Sequence, residues 1–286
     1  MPLIHRMAVV GVGLIGGSLA RVLREKNAVS EIIGIGRTEK NLRRAVELGV
    51  IDSYSRDSRE GVKGADLVFL STPVCSITRV LSDIRPFLSP GCVVTDGGSV
   101  KGEIVAACEA LMPDGTFFVG AHPIAGTEKS GVEASFSSLY SGKRCIVTPT
   151  ENSDRDALGK VVSMWKLAGA EVVLMDVHKH DRIFAAISHL PHMVAYTLVN
   201  AVGGYDRFDE SILKYSAGGF RDFTRIASSD PAMWRDIALM NRDGILETMD
   251  LYMHQFSQLR CLVERGDGPG LEDFFARSKK SRDSIL

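Results

Sequence analysis

Over the first 175 positions, apolar residues fall into two alternating patterns. Short runs rich in β-branched and aromatic residues read as strands at Met7–Val10, Glu31–Ile35, Ala65–Ser71, Cys92–Thr95, Phe117–Gly120, Arg144–Thr148 and Glu171–Leu174. The stretches between them place apolar residues three and four apart, as at Leu19, Val22 and Leu23, and read as amphipathic helices. Strands that are apolar throughout and alternate with helices indicate a parallel sheet covered on both faces. Pro86, Pro90–Gly91 and Pro113 fall in the connections, where residues that break regular structure belong.

Beyond Met175 no run reads as a strand, and helical spacing takes over. One segment extends from His178 to about Val202, with Pro191 expected to kink it. Asp230 followed by Pro231 reads as the start of another helix. Leu246, Met249, Leu251, Met253, Phe256, Leu259 and Leu262 then describe a helix that is apolar over more than one face. Such a helix needs cover on two sides, so a homodimer is expected. The charged tail from Ala276 reads as a solvated helix end. The pattern predicts an α/β chain in two parts: a doubly wound parallel sheet over residues 1–175, then an all-helical domain over residues 176–286.

Composition narrows the setting. The chain has 286 residues, 45% of them hydrophobic and 24% charged, which is ordinary for a globular protein with a sizeable core. A formal net charge of −1 lacks the basic excess of a nucleic-acid binder, so no nucleic-acid partner is expected. The five cysteines, Cys75, Cys92, Cys108, Cys145 and Cys261, are dispersed and form no metal-ligand spacing. They read as reduced thiols of a cytoplasmic protein. No apolar run approaches the ~20 residues that span a bilayer, and the first apolar run is already a strand, so neither a membrane segment nor a secretory signal is expected.

The first strand leads into Gly11, Gly13 and Gly16, with Leu14 and Ile15 opening a helix. This is the strand–turn–helix frame of a Rossmann-type dinucleotide site. The first glycine makes the tight turn, the second admits a pyrophosphate to the backbone, and the third lets helix and strand pack closely. The helix amino terminus then offers N–H groups and partial positive charge to the anion. The residue ending the second strand selects between cofactors, an acid there favouring NAD. Here Gly36 is followed by Arg37 and Thr38, a cation and a hydroxyl that suit a 2′-phosphate; Arg37 stacked on adenine would instead suit either cofactor. NAD or NADP is therefore expected. Ser71, Thr72 and Pro73 end the third strand and Asp96–Gly102 follows the fourth, at the carboxyl ends where such sheets bind ligands.

Three further stretches carry chemistry. His122 lies between the fifth strand and Pro123, where neutral imidazole suits a general base. His189 and His192 flank Pro191 at the expected kink. Their spacing could serve a metal, but no carboxylate ligand accompanies them and no metal is expected. Gly218–Arg225 combines glycines with Arg221 and Arg225, either of which could grip a carboxylate or pair with Asp222.

Taken together, D-G-G-S-V-K-G, G-A-H-P-I-A-G-T-E, S-H-L-P-H and G-G-F-R-D-F-T-R-I-A followed by D-P-A-M-W resemble the prephenate/arogenate (cyclohexadienyl) dehydrogenases of tyrosine biosynthesis, from Met7 to about Met253. The resemblance implies oxidative decarboxylation of prephenate, arogenate or both, with hydride transfer to NAD(P). It implies that His122 accepts the proton of the substrate's ring hydroxyl, that Ser99 bonds the same hydroxyl and orients His122, and that Arg225 binds the ring carboxylate. His189 and His192 match helix histidines near the substrate pocket, and Thr127, Glu128 and Asp222 match pocket or gate residues. Trp234 matches a tryptophan supplied across the dimer, and the helical domain becomes one for substrate binding and dimerisation. No single residue distinguishes prephenate from arogenate. A β-hydroxyacid dehydrogenase is a second reading, but the helix Asp181–Asn200 lacks the lysine such enzymes place there. In a non-catalytic NAD(P)-sensing protein, His122, Ser99 and Arg225 together would be superfluous.

Overall fold

Eight strands form one sheet in the computed structural model, which describes residues 2–127, 129–205 and 212–285. In chain order the elements are β1 (Ile4–Val10), α1 (Leu14–Glu25), β2 (Val29–Ile35), α2 (Glu39–Glu47), β3 (Ser53–Ser55), α3 (Ser58–Gly61), β4 (Leu67–Leu70), α4 (Val74–Ile84), β5 (Val93–Asp96) and α5 (Gly102–Leu111). They continue with β6 (Phe117–Pro123), β7 (Arg144–Thr148), α6 (Arg155–Leu167) and β8 (Glu171–Leu174). The sheet order is β3-β2-β1-β4-β5-β6-β7-β8. The order reverses between β1 and β4, which opens a crevice at their carboxyl ends.

The first six strands are parallel, as the alternation of runs and helices predicts. The last two correct that expectation, because β7 pairs antiparallel with β6 and β8 follows β7 in parallel. A parallel neighbour needs a crossover, usually a helix. The described residues between β6 and β7 form only short 3₁₀ turns at Val132–Ala134 and Ser137–Tyr140, so the chain returns in the opposite sense. The three-residue β3, too short for an apolar pattern to declare it, adds an edge strand beside β2.

Alternation along the strands builds a core on each face. Met7 and Val9 of β1, with Leu67 and Phe69 of β4, pack under α1 and α6 through Leu19, Leu23, Val161 and Trp165. Ala8, Val10, Val68 and Leu70 point the other way, under α4 and α5 through Ile77, Leu81 and Ile104. Trp234 and Ile237 belong to this second cluster, so the helical part of the chain docks on the α4–α5 side. All five cysteines are free thiols.

The helical part comprises α7 (Val177–Phe184), α8 (Leu190–Gly203), α9 (Gly218–Thr224), α10 (Pro231–Met240), α11 (Arg242–Arg265) and α12 (Gly268–Asp283). Between α7 and α8 the chain makes a turn of π-helix, Ala185–His189, in place of the simple kink expected at Pro191. Proline has no N–H to return to the preceding turn, and its ring would crowd the carbonyl four residues back. The wider π turn relieves that conflict, and such turns recur at functional sites. Among the described residues, no helix is long and apolar enough to cross a membrane.

Candidate active site

The three glycines after β1 differ in what surrounds them. Gly11 has φ +94°, and a Cβ there would lie 2.4 Å from the Ser71 carbonyl oxygen. At Gly16 a Cβ would meet the Gly11 carbonyl oxygen at 2.5 Å and Val9 Cγ1 at 2.8 Å. At Gly13 a Cβ would have nothing within 4 Å. Two glycines are thus demanded by the protein's own packing, whereas the middle one borders open space, as close approach of a pyrophosphate requires. Gly13 caps α1 without a side-chain bond and no acidic residue occupies its first turn, which leaves the helix start suited to an anion. The hydroxyl of Tyr140 donates to the Ile15 carbonyl at 2.6 Å and steadies that first turn, which Leu14 begins.

The neighbouring rim fits a ligand too. The Ser71 N–H donates to Val10 O at 2.8 Å, and Pro73 precedes α4. Thr72 Oγ1 is buried without a hydrogen-bond partner among the described residues, an arrangement that proteins rarely leave unexplained. At the end of β2, Arg37 and Thr38 are exposed. A Cβ at Gly36 would make only ordinary contact with Leu42, 3.4 Å away. Space therefore does not exclude an acidic side chain there.

His122 sits inside β6, two residues beyond the expected strand end, paired with Ile146 of β7. The antiparallel partner extends the ladder through Pro123, so a strand rather than a loop fixes this ring. Val119 and Ala121 face the α1–α6 core, which turns His122 to the α5–α7 side. There His122 Nδ1 lies 2.8 Å from His180 Nε2, and His180 Nδ1 lies 2.8 Å from Asp181 Oδ1. Phe184, one turn beyond His180, packs on both imidazoles at centroid distances of 4.8 and 4.5 Å. Asp176 caps this helix by accepting from the Lys179 N–H. Asp181 in turn accepts from the backbone N–H groups of Lys101 at 2.9 Å and Gly102 at 2.7 Å, and so caps α5 from another helix.

A second charged pair lies behind the ring. Asp96 and Lys101 are fully buried and joined by a hydrogen bond from Lys101 Nζ to Asp96 Oδ2. Asp96 also accepts from the N–H of Gly98 at 2.8 Å and of Ala121 at 3.1 Å. It thereby ties the turn that carries half-buried Ser99 to the residue next to His122. Among the described residues no hydrogen bond joins Ser99 to His122, and the partner found on the histidine is His180.

The third wall comes from the helices. The side-chain nitrogen of Asn241 donates to the Asp181 carbonyl at 2.9 Å and lies 3.1 Å from His189 Nδ1. His189 Nδ1 is therefore the acceptor and its proton sits on Nε2, which is buried without a partner among the described residues. His192 Nδ1 donates to the Ser188 carbonyl at 2.9 Å. Trp234 stacks on His192 with centroids 3.7 Å apart and meets His189 edge-on at 6.0 Å. Within its own chain this tryptophan is 6% exposed and packed against both histidines. Its Nε1 is likewise buried without a partner among the described residues. Arg225, at the carboxyl end of α9, is exposed, and its charge helps to lower the His192 pKa. Thr127 and Asp222 are exposed, with Thr127 Oγ1 accepting from the Lys129 N–H. Glu128 lies outside the described residues.

Burial keeps these histidines neutral. It pushes His122 well below the usual imidazole range, with His180, Lys101 and His189 acting in the same direction. Burial likewise lowers His180 against the pull of Asp181, lowers His189 to about 4, and lowers His192. Burial alone would raise Asp181, but His180 and the two backbone N–H groups outweigh it and hold the carboxyl below its usual range. A histidine whose folded pKa is depressed binds more protons unfolded than folded between that value and about 6.5. Its stabilising effect is complete above about pH 6.5 and is lost as pH falls, at up to ~1.4 kcal/mol per pH unit for each group. Urea unfolding should therefore show stability roughly level from pH 8 to 7 and falling steeply between pH 6.5 and 4.5. His189→Gln should make that slope shallower by up to one proton. A level profile down to pH 5 would contradict the burial of neutral histidines.

Asp96, Lys101, His180 and Asp181, like Phe184 and Asn241, carry no individual role in the motif reading. Asp96 and Lys101 stand within D-G-G-S-V-K-G, where a strand-end acid five residues before a lysine hints at a pair. His180 and Asp181 stand in V-H-K-H-D-R, which resembles any solvated helix face; the one signal is Phe184 four residues after His180.

Comparison with known proteins places this geometry. Residues 19–174 match the model for the nucleotide-binding domain of prephenate dehydrogenase, and residues 176–277 match that for the prephenate dehydrogenase dimerization domain. The chain is 37% identical over 276 residues to a prephenate dehydrogenase of Bacillus subtilis, covering 96% of this chain and 74% of that one. It is 34% identical over 283 residues to a cyclohexadienyl dehydrogenase of Zymomonas mobilis, covering 99% and 96%. Among solved structures it resembles the prephenate dehydrogenase of Aquifex aeolicus in complex with hydroxyphenyl propionate and NAD+. That match has a TM-score of 0.93 and 38% identity, over 99% of this chain and 98% of that one.

Proposed function

The chain belongs to the prephenate dehydrogenase family, and from that premise we propose that its cleft oxidatively decarboxylates prephenate, arogenate or both. The observation that carries this reading is His122, a half-buried imidazole that its surroundings keep neutral, engaged at Nδ1 and held at the carboxyl end of the sheet. The dinucleotide turn opens at the same end, and two donors without a partner among the described residues, His189 Nε2 and Trp234 Nε1, lie in the helical wall. NAD or NADP, when bound, supplies the hydride acceptor. The turn at Gly11, Gly13 and Gly16, the start of α1, and Ser71 and Thr72 would hold it, with Arg37 and Thr38 beside the adenosine ribose.

The substrate ring carries a hydroxyl at C4 and a carboxylate at C1. His122 Nε2 takes the hydroxyl proton as the C4–H bond breaks, and loss of CO2 from C1 makes the ring aromatic. Aromatisation drives the reaction, so the protein's part is to position the groups and accept a proton. Imidazole kept neutral by burial is competent for that step at neutral pH. Ser99 is assigned to the same hydroxyl and Arg225 to the ring carboxylate. The donors of His189 and Trp234 are assigned to polar groups of the substrate side chain, and Thr127, Glu128 and Asp222 to the pocket mouth. Turnover of prephenate and of arogenate with each nicotinamide tests the reading, and the ratios of the resulting kcat/KM values assign both preferences. Failure in all four combinations removes it.

We put the division between a nucleotide-binding part, residues 1–175, and a helical part, residues 176–286; the family matches over 19–174 and 176–277 support that reading. The helical part is taken to form a homodimer through α11. Of this 24-residue helix only Ile245 and Thr248 are buried, while Leu251 is 63% and Phe256 57% exposed. Light scattering at micromolar concentration should give twice the chain mass, and Phe256→Asp should shift it toward one chain. A monomer mass for the unsubstituted protein would exclude the dimer.

A further inference from the structure

We infer that Asp181 and His180 act as positioning residues for His122, holding its proton on Nδ1 so that Nε2 presents a lone pair to the substrate. The inference deepens the proposed function, because it rests on His122 being the base.

The argument runs along one line of hydrogen bonds and starts from the group with no choice. A carboxylate can only accept. Asp181 Oδ1 accepts from the Lys101 N–H and meets His180 Nδ1 at 2.8 Å, while Oδ2 accepts from the Gly102 N–H. His180 Nδ1 therefore carries its proton. The neutral His180 ring, fully buried, then has a lone pair on Nε2. That atom lies 2.8 Å from His122 Nδ1. Two lone pairs cannot face each other at that separation, so His122 Nδ1 must donate. A neutral His122 with its proton on Nδ1 has its free lone pair on Nε2. The reverse arrangement needs a cationic His180 inside an apolar enclosure that Lys101 also borders, which burial and like charge both oppose.

The supporting packing is specific. Phe184 covers both rings, and Asp181 is fixed by the start of α5 rather than by solvent. A Cβ at Gly102 would come 2.8 Å from Asp181 Oδ2, so glycine there lets the carboxylate reach the backbone. When His122 accepts a proton at Nε2, the positive ring still donates through Nδ1 to His180, whose other side is held by an anion. The line is thus satisfied both before and after proton transfer, and no ring has to turn.

Two substitutions of the same residue separate positioning from bulk. In His180→Gln the side-chain oxygen can accept from His122 Nδ1 while the amide nitrogen donates to Asp181. In His180→Leu the volume is roughly kept and the acceptor is lost. His180→Leu should lower kcat on the order of 10²-fold, the lower end of what a general base contributes, with little change in KM for substrate or nicotinamide. His180→Gln should restore most of that loss. Histidine ¹⁵N NMR reads the tautomer without turnover. With the His122 signals identified by their absence in His122→Asn, the unsubstituted protein should show His122 protonated at Nδ1 and bare at Nε2. His180→Leu should show protonation moving to Nε2, and His180→Gln should not. His122 protonated at Nε2 in the unsubstituted protein, or equal kcat in the two variants, would overturn the positioning role. If the tautomers are as assigned but neither prephenate nor arogenate turns over, the functional reading fails and the positioning stands.

Discussion

Replacing His122 by asparagine is expected to lower kcat by about 10²–10⁴-fold while leaving KM for substrate and nicotinamide close to the parent values. Asparagine keeps a polar group of similar reach on β6 but cannot take a proton at neutral pH. In the proposed assignment substrate and nicotinamide are held by other groups, the helix histidines, Arg225 and the glycine turn, so ground-state binding should survive. Only an interaction specific to the transition state is removed, and such a loss appears in kcat and kcat/KM alike. The fold should tolerate the change, because His122 is partly exposed and Asp96 binds the neighbouring Ala121 backbone rather than the ring. Steady-state kinetics at saturating nicotinamide would check it. A kcat within a few-fold of the parent would take the base role away from His122.

Asp96→Asn should have the largest effect on stability of any single change near the site, about 3–5 kcal/mol. The carboxylate is fully buried and meets Lys101 Nζ, the Gly98 N–H and the Ala121 N–H. Removing its charge leaves the Lys101 ammonium inside the protein without a counter-ion, and the desolvation cost of that charge is then uncompensated. The turn bearing Ser99 also loses an anchor. Lys101→Met in the same chain should recover a large part of the loss, since a buried pair replaced by apolar volume is often near neutral. Urea unfolding of the parent, the single and the double variants tests this. A single variant within about 1 kcal/mol of the parent would show that Lys101 does not rely on Asp96 as its counter-ion.

The parts of the fold legible in the sequence are those whose physics is local. Gly11, Gly13 and Gly16 could be read from their spacing, and their surroundings in the fold give each a separate reason to lack a side chain. The change from strand to helix period near Met175 was equally plain, because burial on two faces leaves continuous apolar runs and burial on one face leaves stripes. Strand direction was not legible. The residues of β7 and β8 alternate in the same way whichever way they run, and only the missing crossover helix after β6 reverses them. His122 was legible as a residue but not as part of a strand, since β7, which extends β6 to Pro123, is more than 20 residues away. His180 and Asp181 lay beyond reach for the same cause. Within α7 they look like a polar face, and contacts with β6 and the start of α5 give them their positions. Trp234 shows another case: the motif identified the residue, but only the fold shows it stacked on His192.

The most direct measurement of the central claim is the stoichiometry of the reaction on prephenate, with nicotinamide reduction and CO2 release followed together in the purified protein and in His122→Asn. The account predicts one reduced nicotinamide and one CO2 for each prephenate consumed by the parent, and a rate at least about 10²-fold lower in the variant. Reduction without release of CO2, or no reduction with prephenate or arogenate under either nicotinamide, would contradict it.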